Sequence, residues 1–138
     1  FRNLSGLMNR SVPVDVQLAL AEFIGGGHFA THLRRMRDLY TQRRAAFMAI
    51  GSATLEGLAR IDCPDSGMNA IAWLAGERDD AAVHRSVTGA GIQCFPLSDY
   101  TVGTKTSGAL VLGFSGVPVE RMKRHFDVLA GAIERSGR

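Results

Sequence analysis

Residues 25–44 read GGGHFATHLRRMRDLYTQRR, a glycine triplet followed by a segment that carries five arginines. Glycine weakens a helix interior and is common where helices end, so we expect one helix to stop at the triplet and a second to begin after it. Apolar side chains continue at steps of three and four residues, which predicts a long helix from about Ala30 to about Leu58. The positions that form this stripe are Leu33, Met36, Tyr40, Phe47, Ile50, Thr54 and Leu58.

The arginines of this stretch allow two interpretations. They could form a phosphate-contacting surface for a nucleic acid, or they could belong to a helix that joins two domains. Successive helical residues diverge by about 100 degrees, so five arginines at these positions cannot share one face. The interleaved Leu33 and Met36 favour burial. The pattern therefore favours a domain-joining helix whose arginines pair with carboxylates, and a basic nucleic-acid-binding module is the alternative.

The rest of the chain predicts helices and strands in alternation. Pro13 suits the first turn of a short helix that ends at the glycine triplet. The order helix, long helix, strand, strand, helix, strand, strand, helix predicts an α/β or α+β fold, with a small mixed sheet packed by helices on one face. Periodicity and turn residues place the strands over 60–63, 68–75, 92–97 and 109–114, and the later helices after Asp79–Asp80 and Pro118.

The composition is that of an ordinary soluble globular protein. With 138 residues, 46% of them apolar and 21% charged, the chain amounts to one domain with a real core. No apolar run approaches the length that spans a membrane. Cys63 and Cys94 have neither zinc-ligand nor CxxC spacing, so we expect both to be small hydrophobic residues in a reducing cytoplasm.

The residue types that carry chemistry give no clear site by themselves. His28 and His32 are four residues apart, but Phe29 stands where a zincin would have glutamate, so no metal site is expected. The glycine triplet could cradle a phosphate at a helix start, yet it lacks a preceding strand and a following Lys-Ser/Thr, which favours a helix break.

Two lysines and a polar loop complete the candidates. The loop over residues 98–108 is either the edge of a site or a solvated connection between strands. Lys105 in that loop and Lys123 on the last helix both have polar surroundings in the sequence. Neither is expected to be desolvated enough to form an imine with a carbonyl compound.

Several segments together resemble the aminotransferase-like part of the MocR subgroup of GntR-type transcriptional regulators. The resemblance extends over nearly the whole chain, and the arginine-rich segment is its most specific part. The segments that carry it are Val16–Ile24, Gly27–Phe29, His32–Arg37 with Tyr40 and Arg43–Arg44, then Gly67–Met68, Gly91–Ile92, Pro96–Ser98 and Leu110–Ser115.

This resemblance implies the small C-terminal domain of fold-type I aminotransferases, preceded by a long domain-joining helix. Residues 1–29 would end the large domain, and residues 30–138 would form the joining helix and the small domain. The family implies a cytoplasmic homodimer, domain-swapped or head-to-tail, with pyridoxal 5'-phosphate as cofactor and a small amino compound as effector. DNA would be bound only through a separate N-terminal domain.

The resemblance also implies which site residues belong to this chain. The imine-forming lysine and the aspartate of the pyridine nitrogen lie upstream in the family, so no catalytic residue is assigned and an enzymatic activity stays open. Ser11 matches the segment in which a hydroxyl reaches the cofactor phosphate of the neighbouring subunit. Val111 stands where aminotransferases usually have a carboxylate-binding arginine, so no bidentate fork is expected there. The alternative identity is the C-terminal portion of a genuine class I/II aminotransferase.

Overall fold

The computed structural model describes residues 13–103 and 107–136, and it divides the chain into two compact units with a boundary between Leu39 and Tyr40. This boundary falls inside the long helix. The elements in chain order are α1 (Val14–Gly25), α2 (His28–Thr54), β1 (Ala59–Asp62), β2 (Asn69–Leu74), α3 (Asp80–Gly89), β3 (Phe95–Pro96), a 3-10 turn (Leu97–Tyr100), β4 (Ala109–Gly113) and α4 (Val119–Ser136).

The first unit consists of α1 and the beginning of α2, separated at the glycine triplet. None of the residues of α1 is buried, although most of its side chains are apolar. The N–H groups of Gly26 and Gly27 donate to the carbonyl oxygens of Glu22 and Ile24. These bonds complete the end of α1, so the predicted helix break is confirmed and the two amides are already occupied by protein acceptors.

The long helix begins two residues earlier and ends four residues earlier than the sequence pattern predicts. Its end is set by Gly57, whose φ of 74° places it in the left-handed region that glycine adopts without strain. Leu55 is fully buried just before this turn. Leu58 still packs against the core, as its place in the apolar stripe suggested, but it does so from the turn.

The second unit is built on a four-stranded sheet in the order β1-β2-β4-β3. All three strand pairings are antiparallel, so the fold is α+β and the prediction of a mixed sheet is wrong in this respect. The reason is that β4 lies between β2 and β3. The connection through α3 makes β2 and β3 run in the same direction, but the inserted strand keeps them from pairing.

One face of the sheet packs against helices. On the other face, the described strand residues other than the buried Ala109 are half-buried or exposed. Alternate residues of β2, namely Ala70, Ala72 and Leu74, are buried, and their partners in β4 include the buried Leu110 and Leu112. The second half of α2, together with α3 and α4, contributes apolar side chains to the same core. Leu33 in the first half of α2 was expected to be buried but is 37% exposed, so the prediction is wrong there. The buried apolar side chains of these helices are Phe47 of α2, Val83 and Val87 of α3, and Met122, Phe126, Leu129, Ala132 and Ile133 of α4.

The second half of α2 approaches this core most closely at Gly51. A Cβ at this position would lie 2.3 Å from Cδ1 of Ile61 and 2.6 Å from Cζ of Phe126. One turn earlier, the Phe47 ring packs against the rings of Phe126 and Phe114 at centroid distances of 4.8 and 5.6 Å. The lack of a side chain at residue 51 therefore allows the helix to lie directly on the sheet and on α4.

Two of the five arginines fasten α2 to the loops that follow β1 and β4. Arg44 donates to the carbonyl oxygen of Cys63 at 2.7 Å and forms an ion pair with the exposed Asp65 at 3.2 Å. Arg43 donates to the carbonyl oxygen of Ser115. Among the described residues, the predicted pairing with carboxylates is therefore confirmed for Arg44 alone, and backbone carbonyls are the main acceptors.

The strand predicted over residues 92–97 is reduced to a two-residue pairing. Phe95 and Pro96 pair with Val111 and Leu110 at the edge of the sheet. Proline has no N–H to extend the ladder, and the chain enters the 3-10 turn at Leu97. Upstream, the N–H of Ile92 donates to the carbonyl of Val87 and completes the end of α3.

No helix among the described residues combines the length and the apolar character required to cross a membrane.

We expect Gly51→Ala to lower the free energy of unfolding by about 1–3 kcal/mol, because the added methyl group overpacks a filled core. Chemical denaturation of the purified protein measures this change. The same substitution at Gly131 in α4 is the matched control, since its nearest neighbour is the flexible end of Arg135 at 3.3 Å. There, replacing glycine in a helix should stabilise by about 0.5–1 kcal/mol.

Opposite signs for the two glycine variants support the close packing of α2. A Gly51→Ala variant that is as stable as the parent or more stable would contradict it.

Candidate functional site

The uncovered face of the sheet, called the open face below, presents a row of apolar side chains. The strand register places Ile71, Val111 and Phe95 side by side across β2, β4 and β3. Ile71 and Val111 are half-buried, and Phe95 is 57% exposed. Asp62 of β1 continues the row at its outer end. The open face is therefore apolar across β2, β4 and β3, and the charged residues Arg60 and Asp62 lie on its outer strand, β1.

The next row of the open face contains a tryptophan whose polar atom is unsatisfied. Trp73 lies between Arg60 and Ala109 in the strand register. Its Nε1 is buried and has no hydrogen-bond partner among the described residues. An unsatisfied buried N–H is rare in a folded protein, so this position suits an acceptor that the described part of the chain does not provide.

The Leu97–Tyr100 turn borders the open face and is fixed by a buried carboxylate. Asp80, at the start of α3, is only 5% exposed. Its Oδ1 accepts a hydrogen bond from Oγ of Ser98 at 2.7 Å, and its Oδ2 accepts from the N–H of Ser98 at 3.0 Å and from that of Ala109 at 3.4 Å. These three donors satisfy the carboxylate, and its place in the first turn of a helix stabilises its charge.

The approach of β4 to α3 requires a residue without a side chain at Gly108. A Cβ there would lie 2.1 Å from the carbonyl oxygen of Arg78. On the other side, the carbonyl oxygen of Gly108 accepts a hydrogen bond from the N–H of Leu74 at 2.9 Å. The backbone before β4 is thus held between β2 and the start of α3, which brings the N–H of Ala109 within reach of Asp80.

A pocket on the covered side of the sheet is too small for a cofactor. It has a volume of about 60 Å³ and is lined mainly by apolar side chains, among them Phe47, Leu112 and Met122, with Gln93 and His125 as polar members. Ligand pockets are typically about 300–1,000 Å³ in volume. The open face is therefore the better candidate site.

Neither cysteine offers a reactive nucleophile. Burial raises the pKa of the Cys94 thiol from its ordinary value of 9.0 to about 11, so it is protonated at neutral pH. Cys63 is buried as well, at the end of β1, and both thiols are free. They serve as small core residues, which agrees with the expectation from sequence.

The residues singled out in the sequence do not converge on one site. Ser11 and Lys105 lie outside the described residues. Lys123 is exposed and forms an ion pair with Asp127 one turn farther along α4. No group of three or more His, Cys, Asp and Glu side chains within residues 13–103 and 107–136 is placed to hold a metal ion.

Sequence analysis missed the structural role of Asp80. The Asp79–Asp80 pair predicted a helix cap, and Asp79 alone provides it by accepting a hydrogen bond from the N–H of Ala81. The sequence did contain a signal for this role: one side chain is enough to cap the helix, so the second aspartate was available for another contact. The register of Ile71, Val111 and Phe95 also required the structure, because the order of the strands in the sheet does not follow their order in the chain.

Comparison with known proteins gives transcriptional regulators as relatives in sequence. The chain is 35% identical over 125 residues to the probable rhizopine catabolism regulatory protein MocR of Rhizobium meliloti, a match that covers 88% of this chain and 25% of the relative. It is 25% identical over 117 residues to the uncharacterized HTH-type transcriptional regulator YhdI of Bacillus subtilis (strain 168), with coverage of 85% and 25%. The chain thus spans about a quarter of the length of these relatives. No family model matches it.

Comparison with solved structures gives aminotransferases. LysN, the alpha-aminoadipate aminotransferase of Thermus thermophilus, superposes with a TM-score of 0.77 at 18% identity, covering 87% of this chain and 31% of that one. The multiple substrate aminotransferase of Thermococcus profundus gives a TM-score of 0.73 at 19% identity, with coverage of 84% and 29%. At these identities the likeness establishes the fold, which is that of the small C-terminal domain of aminotransferases, and it confirms the predicted fold class.

The raised pKa of Cys94 predicts a loss of stability in alkali. The unfolded chain releases the thiol proton from about pH 9, whereas the folded chain holds it until about pH 11. Because the folded state binds more protons between these values, the free energy of unfolding should fall as pH rises from 9 to 11. Denaturation curves of the parent and of Cys94→Ala across this range isolate the contribution. The Cys94→Ala variant should lack this part of the slope, and equal slopes would contradict the assignment.

Proposed function

This chain is related to the aminotransferase-like domain of MocR-type transcriptional regulators, and from that relationship we propose that it is the small-domain portion of a pyridoxal-phosphate-dependent regulator that senses an amine. The observation that carries the proposal is 35% identity to a regulator over nearly all of this chain, joined to an aminotransferase fold. Since the chain spans about a quarter of its relatives, the DNA-binding and cofactor-holding parts belong to the remainder.

The proposed domain organisation of the whole protein follows from the same relationship. Residues 1–29 end the large domain, and residues 30–138 form the joining helix and the small domain. The exposed apolar side chains of α1 support this division, because a helix with apolar residues on every side is normally buried in a larger protein. The complete protein would be a cytoplasmic homodimer, domain-swapped or head-to-tail, in which Ser11 contacts the cofactor phosphate of the neighbouring subunit.

The described residues do not form a complete site for pyridoxal phosphate. Such a site requires a desolvated lysine for the imine and a set of donors for the phosphate. Lys123 is exposed and already paired with Asp127, and no other lysine is described. We therefore derive no chemical step for this chain. The proposed contribution of this chain is the open face, which would form one wall of the effector pocket on the side where the effector enters.

The chemistry of this wall points to the class of effector. Val111, Ile71 and Phe95 present hydrocarbon where an aminotransferase would present a guanidinium fork to its substrate. An α-carboxylate placed against this row would lose its hydration without gaining a bidentate partner, because the guanidinium of the open face belongs to Arg60 on the outer strand, beyond Trp73. The proposed effector is accordingly a primary amine that does not depend on an α-carboxylate for recognition.

A genuine class I/II aminotransferase is the second candidate, and the fold supports it directly. The two candidates differ in what precedes residue 1. A winged-helix DNA-binding segment upstream supports the regulator, whereas a complete upstream sequence without one would contradict it and favour the enzyme.

Trapping the cofactor with borohydride tests the proposed placement of the imine lysine. The complete protein, incubated with pyridoxal phosphate and reduced, should carry one covalent adduct per subunit at a lysine upstream of residue 1. Peptide mass mapping locates the adduct. An adduct at Lys105 or Lys123 would contradict the proposal, and no adduct at all would argue against cofactor dependence.

Placing a guanidinium on the open face tests the effector class. In the complete protein, Val111→Arg should shift the ratio of affinities for L-alanine and ethanolamine by at least about 10-fold toward L-alanine, since a hydrogen bond to a charged group contributes about 1.5–3 kcal/mol. Titrations followed by the visible absorbance of the cofactor measure both affinities. Val111→Leu is the matched control and should leave the ratio unchanged. A ratio that does not change in Val111→Arg would remove the open face from the effector site.

A further inference from the structure

Among the described residues, Asp80 is the one charged side chain that is buried. Within residues 13–103 and 107–136 no cation forms an ion pair with it. Its hydrogen-bond partners are Oγ and N–H of Ser98 and the N–H of Ala109. A buried carboxylate is unfavourable unless it is hydrogen-bonded, so these contacts and Asp80 depend on one another. Two of the three donors come from one residue of the turn, and the third comes from the first residue of β4.

Within the described residues, the other hydrogen bonds of the turn are local and are longer than the two from Ser98 to Asp80. Thr101 donates to the carbonyl of Ser98 twice, from its N–H at 3.3 Å and from its Oγ1 at 3.2 Å. These bonds shape the turn but do not attach it to another element. The carboxylate of Asp80 is what joins the turn to the start of α3 and to β4.

The Leu97–Tyr100 turn also determines which residues lie at the margin of the open face. It follows directly after β3, in which Phe95 pairs with Val111, and it ends at Tyr100, which is 63% exposed. The phenol of Tyr100 can both donate and accept a hydrogen bond. A displacement of the turn would move an aromatic wall and a polar group together.

We propose that Asp80 is a positioning residue for the effector: it holds the Leu97–Tyr100 turn against the open face and thereby sets the affinity for an amine that it does not touch. This inference rests on the proposed function, because it assumes that the effector binds at the open face. In this inference, Asp80 has no part in holding the cofactor, so cofactor affinity should not depend on it.

The chemistry of the contacts provides a conservative replacement. In Asp80→Asn, the amide oxygen can take the place of Oδ2 and accept from the two N–H groups, while the amide nitrogen donates to Oγ of Ser98, whose hydroxyl can reverse its role. All three contacts are retained without the charge. Asp80→Ala removes all three, and Ser98→Ala removes only the shortest.

The experiment uses the complete protein with pyridoxal phosphate and follows cofactor absorbance during titration with ethanolamine. Asp80→Ala should weaken half-saturation about 10-fold, Ser98→Ala about 3-fold, and Asp80→Asn less than about 2-fold, at unchanged cofactor affinity. Hydrogen exchange at the amides of Ser98 and Ala109 should accelerate in the same order. Asp79→Ala, which removes the exposed helix cap, and Ser86→Ala, which removes a hydrogen bond to the carbonyl of Ala132 in α4, are controls for a general loss of stability.

The controls should be destabilised while their response to ethanolamine stays within about 2-fold of the parent. Equal ethanolamine responses in the parent and in Asp80→Ala would overturn the inference alone. If Asp80→Ala does not fold, Ser98→Ala and Asp80→Asn still test the inference. It would be overturned if Ser98→Ala responded to ethanolamine like the parent, or if Asp80→Asn lost its response. A parent protein that binds cofactor but gives no ethanolamine response would overturn the proposed effector class together with this inference.

Discussion

The close contact of α2 with the sheet and with α4 at Gly51 is the constraint on which the second unit depends. Because this position has no side chain, Ile61 and Phe126 fill the space beside the helix backbone. The aromatic cluster around Phe47 and the two arginine contacts to backbone carbonyls follow from that approach. The arginine-rich segment that looked like a surface for an anion thus contributes two of its five guanidiniums to holding the helix in place.

Covering one face of the sheet leaves the other face for function. The helices bury alternate residues of β2 and β4, so the intervening residues Ile71, Trp73 and Val111 face away from the core. Ile71 and Val111 make this face apolar, and the N–H of Trp73 has no hydrogen-bond partner in the part of the chain that the structure describes. Such a surface is typical of a face that binds a ligand or another part of a protein, and it agrees with a chain that spans only a quarter of its relatives.

The periodicity of apolar residues predicted most of the helices and strands, because the formation of these elements depends mainly on the local sequence. The stripe of Val119, Met122, Phe126, Leu129 and Ile133 predicted α4, and all of these residues are buried except Val119, which is half-buried. The end of α2 was misplaced because the left-handed turn at Gly57 overrides an apolar spacing that continues to Leu58. The parallel or antiparallel nature of the sheet was beyond reach, since it depends on the insertion of β4 between β2 and β3 and not on local pattern.

The candidate site was less predictable for a physical reason. Val111 was identified only through a resemblance, and its neighbours Ile71 and Phe95 come from strands that are far apart in the chain. Asp80 looked like a helix cap because its burial depends on the return of the backbone through Gly108. Ser11, the one cofactor contact predicted, stays a prediction because it lies outside the described residues.

The central claim is that the open face forms one wall of a cofactor-containing effector pocket in a larger regulator. A crystal structure of the complete protein with pyridoxal phosphate tests it most directly. We expect the reactive carbon of the cofactor to lie across a solvent-accessible pocket from Val111, with the imine lysine upstream of residue 1. A cofactor bound away from the open face, or an open face filled by packed protein with no access to the cofactor, would contradict the account.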